Sequence, residues 1–205
     1  MRIPDVRGTI AAAPISTALV VVNVLAFIAI NLDARLFDVV SLPPSWEGVA
    51  AQPWTLLTVF FSTQVLVHIA GTVLMIVLFG PRIERWASSA HLLGVYLLAG
   101  LAGSLALVAT AEATGFDARS LGPSAAFLGL VGAVAALPRR AWWDKLPLDK
   151  VVIVLLVAQL APVIGIGDWV SSTAHAAGLA VGVGYGYLLR SRTAADLPDV
   201  PTSSP

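Results

Sequence analysis

Six apolar stretches, each close to the length of a membrane-crossing helix, constrain this sequence more than any other feature. They cover approximately residues 13–31, 64–80, 89–111, 122–138, 150–166 and 169–189. A helix needs about 20 apolar residues to cross roughly 30 Å of hydrocarbon. Only 12% of the 205 residues are charged, whereas a soluble domain carries about 25%. We therefore exclude a soluble protein and predict an all-α, polytopic membrane protein with six transmembrane helices in one bundle.

The basic residues lie mostly on one side of these spans. If the N-terminus is inside, ten of the 12 Lys and Arg residues lie in inner segments, and only Arg35 and Arg119 lie outside. Basic residues collect on the cytoplasmic side of a membrane, so we expect both termini in the cytoplasm and the plasma (inner) membrane as the location. Residues 1–12 are then a cytoplasmic N-terminus and residues 13–190 the membrane domain. Residues 191–205, rich in Pro, Ser, Thr and Asp, are predicted to be a disordered tail.

The connection between the first two spans, residues 32–63, differs from an ordinary loop. It is too apolar for a water-exposed linker, and its prolines break it too often for it to form a span. Its aromatic residues are Phe37, Trp46, Trp54, Phe60 and Phe61. The sequence predicts that this segment is partly embedded in the membrane.

Charge and residue types exclude several functions. A net charge of zero with no basic stripe argues against a nucleic-acid partner. The absence of Cys removes disulfides, thiolate nucleophiles and Cys-based metal sites, and we expect no metal or cofactor. A small-molecule transporter is disfavoured because no acidic residue lies at mid-membrane depth and the spans show no internal repeat.

Three polar side chains from three spans are predicted to lie in one layer. With a rise of 1.5 Å per residue, Ser124 and His175 lie about 9 Å below the outer face, and His68 about 12 Å below it. Ionisable residues inside a membrane are costly and indicate function. Gly178 and Gly182, spaced as G-x-x-x-G, allow a close neighbouring helix, and the small residues after Ser124 suit the fourth span to that place. A Ser beside a neutral His is the nucleophile and base pair of acyl transfer.

These residues resemble the motifs of the rhomboid family of intramembrane serine proteases, over approximately residues 54–187. Residues 122–125, Gly-Pro-Ser-Ala, are similar to the family's Gly-x-Ser-x motif, and residues 174–182 are similar to its Ala-His-x-x-Gly-x-x-x-Gly motif. His68 resembles the family's second-helix His. The resemblance implies that Ser124 is the nucleophile and His175 the base. It also implies an oxyanion hole made by His68, the residue at position 72 and Ser124; the supporting motif positions are Gly122, Pro123, Gly178 and Gly182.

The resemblance implies a protease that cleaves transmembrane segments of other membrane proteins within the lipid bilayer. Four positions depart from the family pattern. The family's Asn is Thr72, its loop Arg is Thr55, and the aromatic residue after the nucleophile is Leu128. Pro123 has no N–H to offer an oxyanion, and inactive relatives also carry Pro there. A second interpretation therefore stays open: a catalytically inactive rhomboid-like protein that binds transmembrane clients.

Overall fold

The protein forms a helical bundle in the computed structural model, which describes residues 13–137, 148–158 and 167–195. The predicted all-α fold is confirmed, since these residues form helices and contain no strand. In chain order the helices are α1 (Pro14–Leu32), α2 (Arg35–Val40), α3 (Trp46–Ala51), α4 (Thr55–Thr58), α5 (Leu66–Trp86), α6 (Ser89–Thr114), α7 (Ser124–Ala136), α8 (Leu148–Ala158) and α9 (Trp169–Ala195).

Three of these helices, α1, α5 and α6, are long and apolar enough to cross a membrane, with 19, 21 and 26 residues. Helix α7 is apolar but has only 13 residues, about 20 Å at 1.5 Å per residue. It begins at Ser124, two residues after the predicted start of the span. The predicted fifth span continues beyond Ala158 into residues outside the described part. Helix α9 extends to Ala195, past the tail boundary expected at residue 190.

Residues 32–63 fold back onto the bundle. Short helices α2, α3 and α4 and a 3₁₀ turn, Val59–Phe61, replace a span because Pro43, Pro44 and Pro53 interrupt the chain. Phe60 is buried against α6, where Gly100 leaves room for its ring. The Tyr96 hydroxyl of α6 donates to the Phe60 carbonyl oxygen at 2.9 Å. The apolar side chains of this segment thus serve in part as core.

A buried carboxylate ties α1, α5 and α6 together at the end of the bundle opposite His68. Glu84 of α5 accepts from the backbone N–H groups of Ile15 and Ser16 at 3.0 and 2.9 Å. It also accepts from the hydroxyls of Ser16 and Ser89 at 2.6 and 2.7 Å. The first turn of α1 has backbone N–H groups without helical partners, and Glu84 satisfies two of them.

Helix α7 occupies the centre of the described bundle. Ten of its 13 residues are buried, whereas only four of the 19 residues of α1 are. A helix that is apolar on all sides is expected in the interior, and small residues let its neighbours approach closely. The residue that begins this central helix, Ser124, is thereby fixed in position.

Candidate active site

The predicted nucleophile and base are hydrogen-bonded in the structure. Ser124 is the first residue of α7, and His175 is the seventh residue of α9. The Oγ of Ser124 lies 2.7 Å from the Nε2 of His175. When the imidazole is neutral and carries its proton on Nδ1, Nε2 accepts the hydroxyl hydrogen. Proton transfer from Ser124 to His175 requires this arrangement.

Glycines of α9 bring the two side chains together. A Cβ on Gly178 would overlap the carbonyl oxygen of Ala125, and a Cβ on Gly182 would overlap that of Gly129. The backbones of α7 and α9 therefore touch along this face, as the G-x-x-x-G spacing predicted. Since Ala125 follows Ser124 and Gly178 lies one turn after His175, the contact sets the pair in register.

His68 approaches the same place from the first turn of α5. A Cβ on Gly122 would lie 2.9 Å from His68 Cε1 and 3.7 Å from Ser124 Oγ, so the ring stands across Gly122 from the nucleophile. The Nδ1 of His68 is 3.3 Å from Thr63 Oγ1. The Nε2 of His68 has no hydrogen-bond partner among the described residues. It is available as a donor when Nδ1 accepts the Thr63 hydroxyl hydrogen.

Thr72, predicted to contribute to the oxyanion hole, has its hydroxyl engaged within its own helix. Its side chain is fully buried, and its hydroxyl donates to the His68 carbonyl oxygen of the preceding turn at 2.9 Å. Such i−4 bonding is common for Thr within a helix. The structure therefore gives Thr72 a bond within α5 and does not bring its hydroxyl to Ser124.

Pro123 and Leu128, two further departures from the family pattern, lie at the start of α7 and within it. Pro123 occupies the position before the first residue of α7 and has no N–H, whereas the amide of Ser124 belongs to the first turn, whose N–H groups have no acceptor within the helix. The ring of Phe127 packs edge-on against His68 with centroids 6.4 Å apart. Leu128 is buried in a cluster with Val131 and Leu179. The aromatic side chain that follows Ser124 thus packs against His68.

A cavity of about 240 Å³ opens beside the Ser124–His175 pair. Its wall includes Arg119, Ser120 and Ser171, so it is polar as well as close to the nucleophile. From the sequence alone, Arg119 is recognisable only as an outer basic residue. Its hydrogen-bond partners lie 67 to 81 residues away in the chain. No local sequence pattern predicts contacts over such separations.

The described residues contain no group of three or more His, Cys, Asp or Glu side chains arranged to hold a metal ion. The chemistry available in this part of the structure is that of a hydroxyl, an imidazole and N–H donors. These groups suit acyl transfer.

Comparison with known proteins agrees with this arrangement. The rhomboid domain model matches residues 50–192, which include all the predicted site residues. RHOMBOID-like protein 6, mitochondrial, of Arabidopsis thaliana is 27% identical over 147 residues, which is 70% of this chain and 47% of the relative. RHOMBOID-like protein 7 of the same plant is 29% identical over 140 residues, 67% of this chain and 43% of the relative.

The chain spans less than half the length of these two curated relatives. The family model covers well over half of the chain, and its limits enclose α5, α6 and α7 together with α9 as far as residue 192. This match and the three helices able to cross a membrane show that the chain is a multi-pass integral membrane protein and belongs to the rhomboid family.

Proposed function

We propose that this protein is an intramembrane serine endopeptidase that cleaves transmembrane segments of other membrane proteins. The observation that carries the proposal is the 2.7 Å contact between Ser124 Oγ and His175 Nε2. A Ser hydroxyl is a weak nucleophile unless a base removes its proton. A hydrogen bond from this hydroxyl to an imidazole nitrogen provides that base.

The reaction proceeds in two steps. Ser124 Oγ attacks a peptide carbonyl carbon of the substrate, and its proton passes to His175 Nε2. As the C–N bond breaks, the imidazolium returns this proton to the leaving amine, and an ester on Ser124 remains. Water then attacks the ester with His175 again as base, which releases the new carboxyl end and restores the hydroxyl.

The oxyanion formed in each step needs donors aimed at it. We assign this role to the Nε2–H of His68 and to the amide of Ser124, at the start of α7, where the helix dipole also favours negative charge. Pro123 cannot add a third donor. Loss of one such donor raises the barrier by about 2.7–4 kcal/mol, so we expect a slow protease.

The second candidate is a rhomboid-like protein that binds transmembrane clients without cleaving them. Pro123, which lacks an N–H, and Thr72, whose hydroxyl is bonded within α5, favour this alternative. The preserved Ser124–His175 contact opposes it.

We also propose an orientation for the molecule. His68 lies in the first turn of α5 and Arg82 and Arg85 lie near its last turn, so the Ser124 site is at the end of the bundle away from these arginines. The bias of Lys and Arg toward the cytoplasm then places both termini inside and the site near the outer face, with the plasma (inner) membrane as the proposed location.

A fluorophosphonate probe tests the proposal most directly. The full chain, purified in lipid, is expected to be labelled at Ser124 and to cleave members of a panel of transmembrane helices. Ser124→Ala should lose both activities while it keeps its fold. Folded wild-type protein that binds helices, yet neither reacts with the probe nor cleaves, would support the non-catalytic alternative.

A further inference from the structure

Arg119 is a partly buried cation in the segment that leads from α6 to Ser124. Its Nε donates to Ser41 Oγ at 2.8 Å. Its Nη2 donates to the carbonyl oxygens of Asp38 and Ser41 at 2.8 and 2.7 Å, and to Gln52 Oε1 at 2.5 Å. These bonds hold one edge of the guanidinium against residues 38–52, so its position is fixed before any ligand arrives.

The other edge of the guanidinium is unoccupied. Nη1 carries two N–H donors and has no acceptor among the described residues. No buried side-chain nitrogen or oxygen in the described part lacks a partner, so Nη1 is accessible from outside the protein core. All the acceptors on Arg119 are neutral, and no carboxylate of the described residues lies within ion-pair distance of it.

Arg119 is one of the residues that line the cavity beside Ser124 and His175. Asp168 immediately precedes α9, the helix that carries His175. Its carboxylate accepts from the amide of Ser171 at 2.6 Å and from the Ser171 hydroxyl at 3.0 Å. Asp168 caps α9 through these bonds and, among the described residues, forms no ion pair with Arg119.

We propose that Arg119 is a specificity-determining residue that selects substrates with an acidic side chain next to the scissile bond. The inference rests on the proposed function, because it assigns a substrate class to the same site. The N–H groups of Nη1 are donors that suit a carboxylate oxygen, and charge-assisted hydrogen bonds are the strong ones. A guanidinium already held by its other edge loses little freedom on binding.

Matched transmembrane substrates test this inference. Each series carries Asp, Leu or Lys at one position flanking the scissile bond, and kcat/KM is measured with the full chain in lipid. At one of these positions we expect wild type to prefer Asp over Lys by at least about tenfold, or roughly 1.4 kcal/mol. Arg119→Gln should reduce this ratio to about one, and Arg119→Lys, which keeps the charge, should retain a preference for Asp.

The ratio of kcat/KM for the Asp substrate to that for the Lys substrate distinguishes recognition of the substrate by Arg119 from a contribution of Arg119 to the fold. A general loss of structure in Arg119→Gln lowers the rates on all substrates together and leaves the ratio unchanged. Arg35→Gln is the matched control, because Arg35 is the other outer arginine and is paired with Asp33 at 3.0 Å. An equal Asp-to-Lys ratio in wild type and Arg119→Gln overturns the inference.

The same peptides distinguish failure of this inference from failure of the proposed function. If wild type cleaves none of them, the protease proposal fails, and dissociation constants of the uncleaved peptides are measured instead. Tighter binding of the Asp peptide that disappears in Arg119→Gln still supports acid recognition by Arg119. Equal binding of the Asp and Lys peptides by wild type overturns it.

Discussion

The two sides of the candidate site are built on different principles. On one side, α7 and α9 hold Ser124 and His175 in hydrogen-bond contact through backbones that touch at Gly178 and Gly182. On the other side, the oxyanion would depend on separate groups: the ring of His68, the amide of Ser124, and positions 72 and 123. The side with Ser124 and His175 has both groups that a nucleophile and base pair requires. The oxyanion side lacks the two donors that the family pattern has at positions 72 and 123.

The contrast between the two sides shows that a contact built into helix packing differs from donors contributed by single residues. Several small residues along two helices enforce the nucleophile–base contact together, so each also contributes to the fold. At positions 72 and 123, by contrast, this chain has Thr and Pro where the family pattern has other residues, and the described bundle accommodates both, with the Thr72 side chain fully buried. The predictions that follow test this division.

The largest effect is expected at the intact side. Ser124→Ala and His175→Ala should each reduce cleavage by about 10⁶-fold, and the double variant should be no worse, because nucleophile and base act as a unit. Single-turnover cleavage is the measurement, with Ser120→Ala as a control serine from the same cavity wall. Cleavage at the wild-type rate in either single variant would falsify the assignment of the pair.

Pro123→Ala tests the oxyanion side of the site. An alanine restores an N–H next to Ser124, and one oxyanion donor changes kcat by about 10²–10³, so kcat should rise by up to this factor. This gain in kcat is partly offset because the ring of Pro123 also fixes the backbone conformation at the start of α7.

The control for this gain is Pro123→Ala combined with Ser124→Ala, which should be inactive. Wild type, Pro123→Ala, and Pro123→Ala with Thr72→Asn are assayed together. If all three are folded, bind helical clients and cleave nothing, the non-catalytic interpretation is correct.

A third effect, of about 10²-fold in activity, is expected at the contact of α7 with α9. The Cβ of Gly182→Ala would overlap the Gly129 carbonyl oxygen, which pushes the helices apart, and a shift of about 1 Å at a reacting pair costs about 10²-fold. Thermal unfolding and cleavage are measured together. Gly184→Ala is the matched control, because its added Cβ meets no atom within 4 Å beyond the backbone of its own helix and its chain neighbours. Similar activities for the two variants would mean that the backbone contact does not position the pair.

The smallest effect is expected at Thr72. Its hydroxyl is bonded to the His68 carbonyl oxygen, so Thr72→Val should change the cleavage rate by less than about threefold and stability by about 1 kcal/mol. Kinetics and chemical denaturation of this variant give both quantities. A drop of 10²-fold in rate with unchanged stability would show that the hydroxyl serves the oxyanion after all.

Much of the fold could be predicted because its causes are local. Apolar runs of helical length produced α1, α5 and α6, and the G-x-x-x-G spacing of α9 indicated a close helix partner. The extent of α7 was less accessible from the sequence. It begins at Ser124, after a nonhelical segment at residues 115–123 that an antiparallel bridge between Leu42 and Ser120 holds in place.

Hydropathy and motif spacing can be read directly from the order of the residues, and they are enough to predict a helical membrane protein with Ser124, His175 and His68 as candidate reactive groups. Three features emerge only in the folded chain: the Thr72 hydroxyl bonds within α5, Phe127 packs on His68, and Arg119 lines the cavity. Those outcomes depend on side-chain orientation and on contacts between distant segments. The guanidinium of Arg119 meets partners up to 81 residues away, and such contacts exist only once the helices have packed.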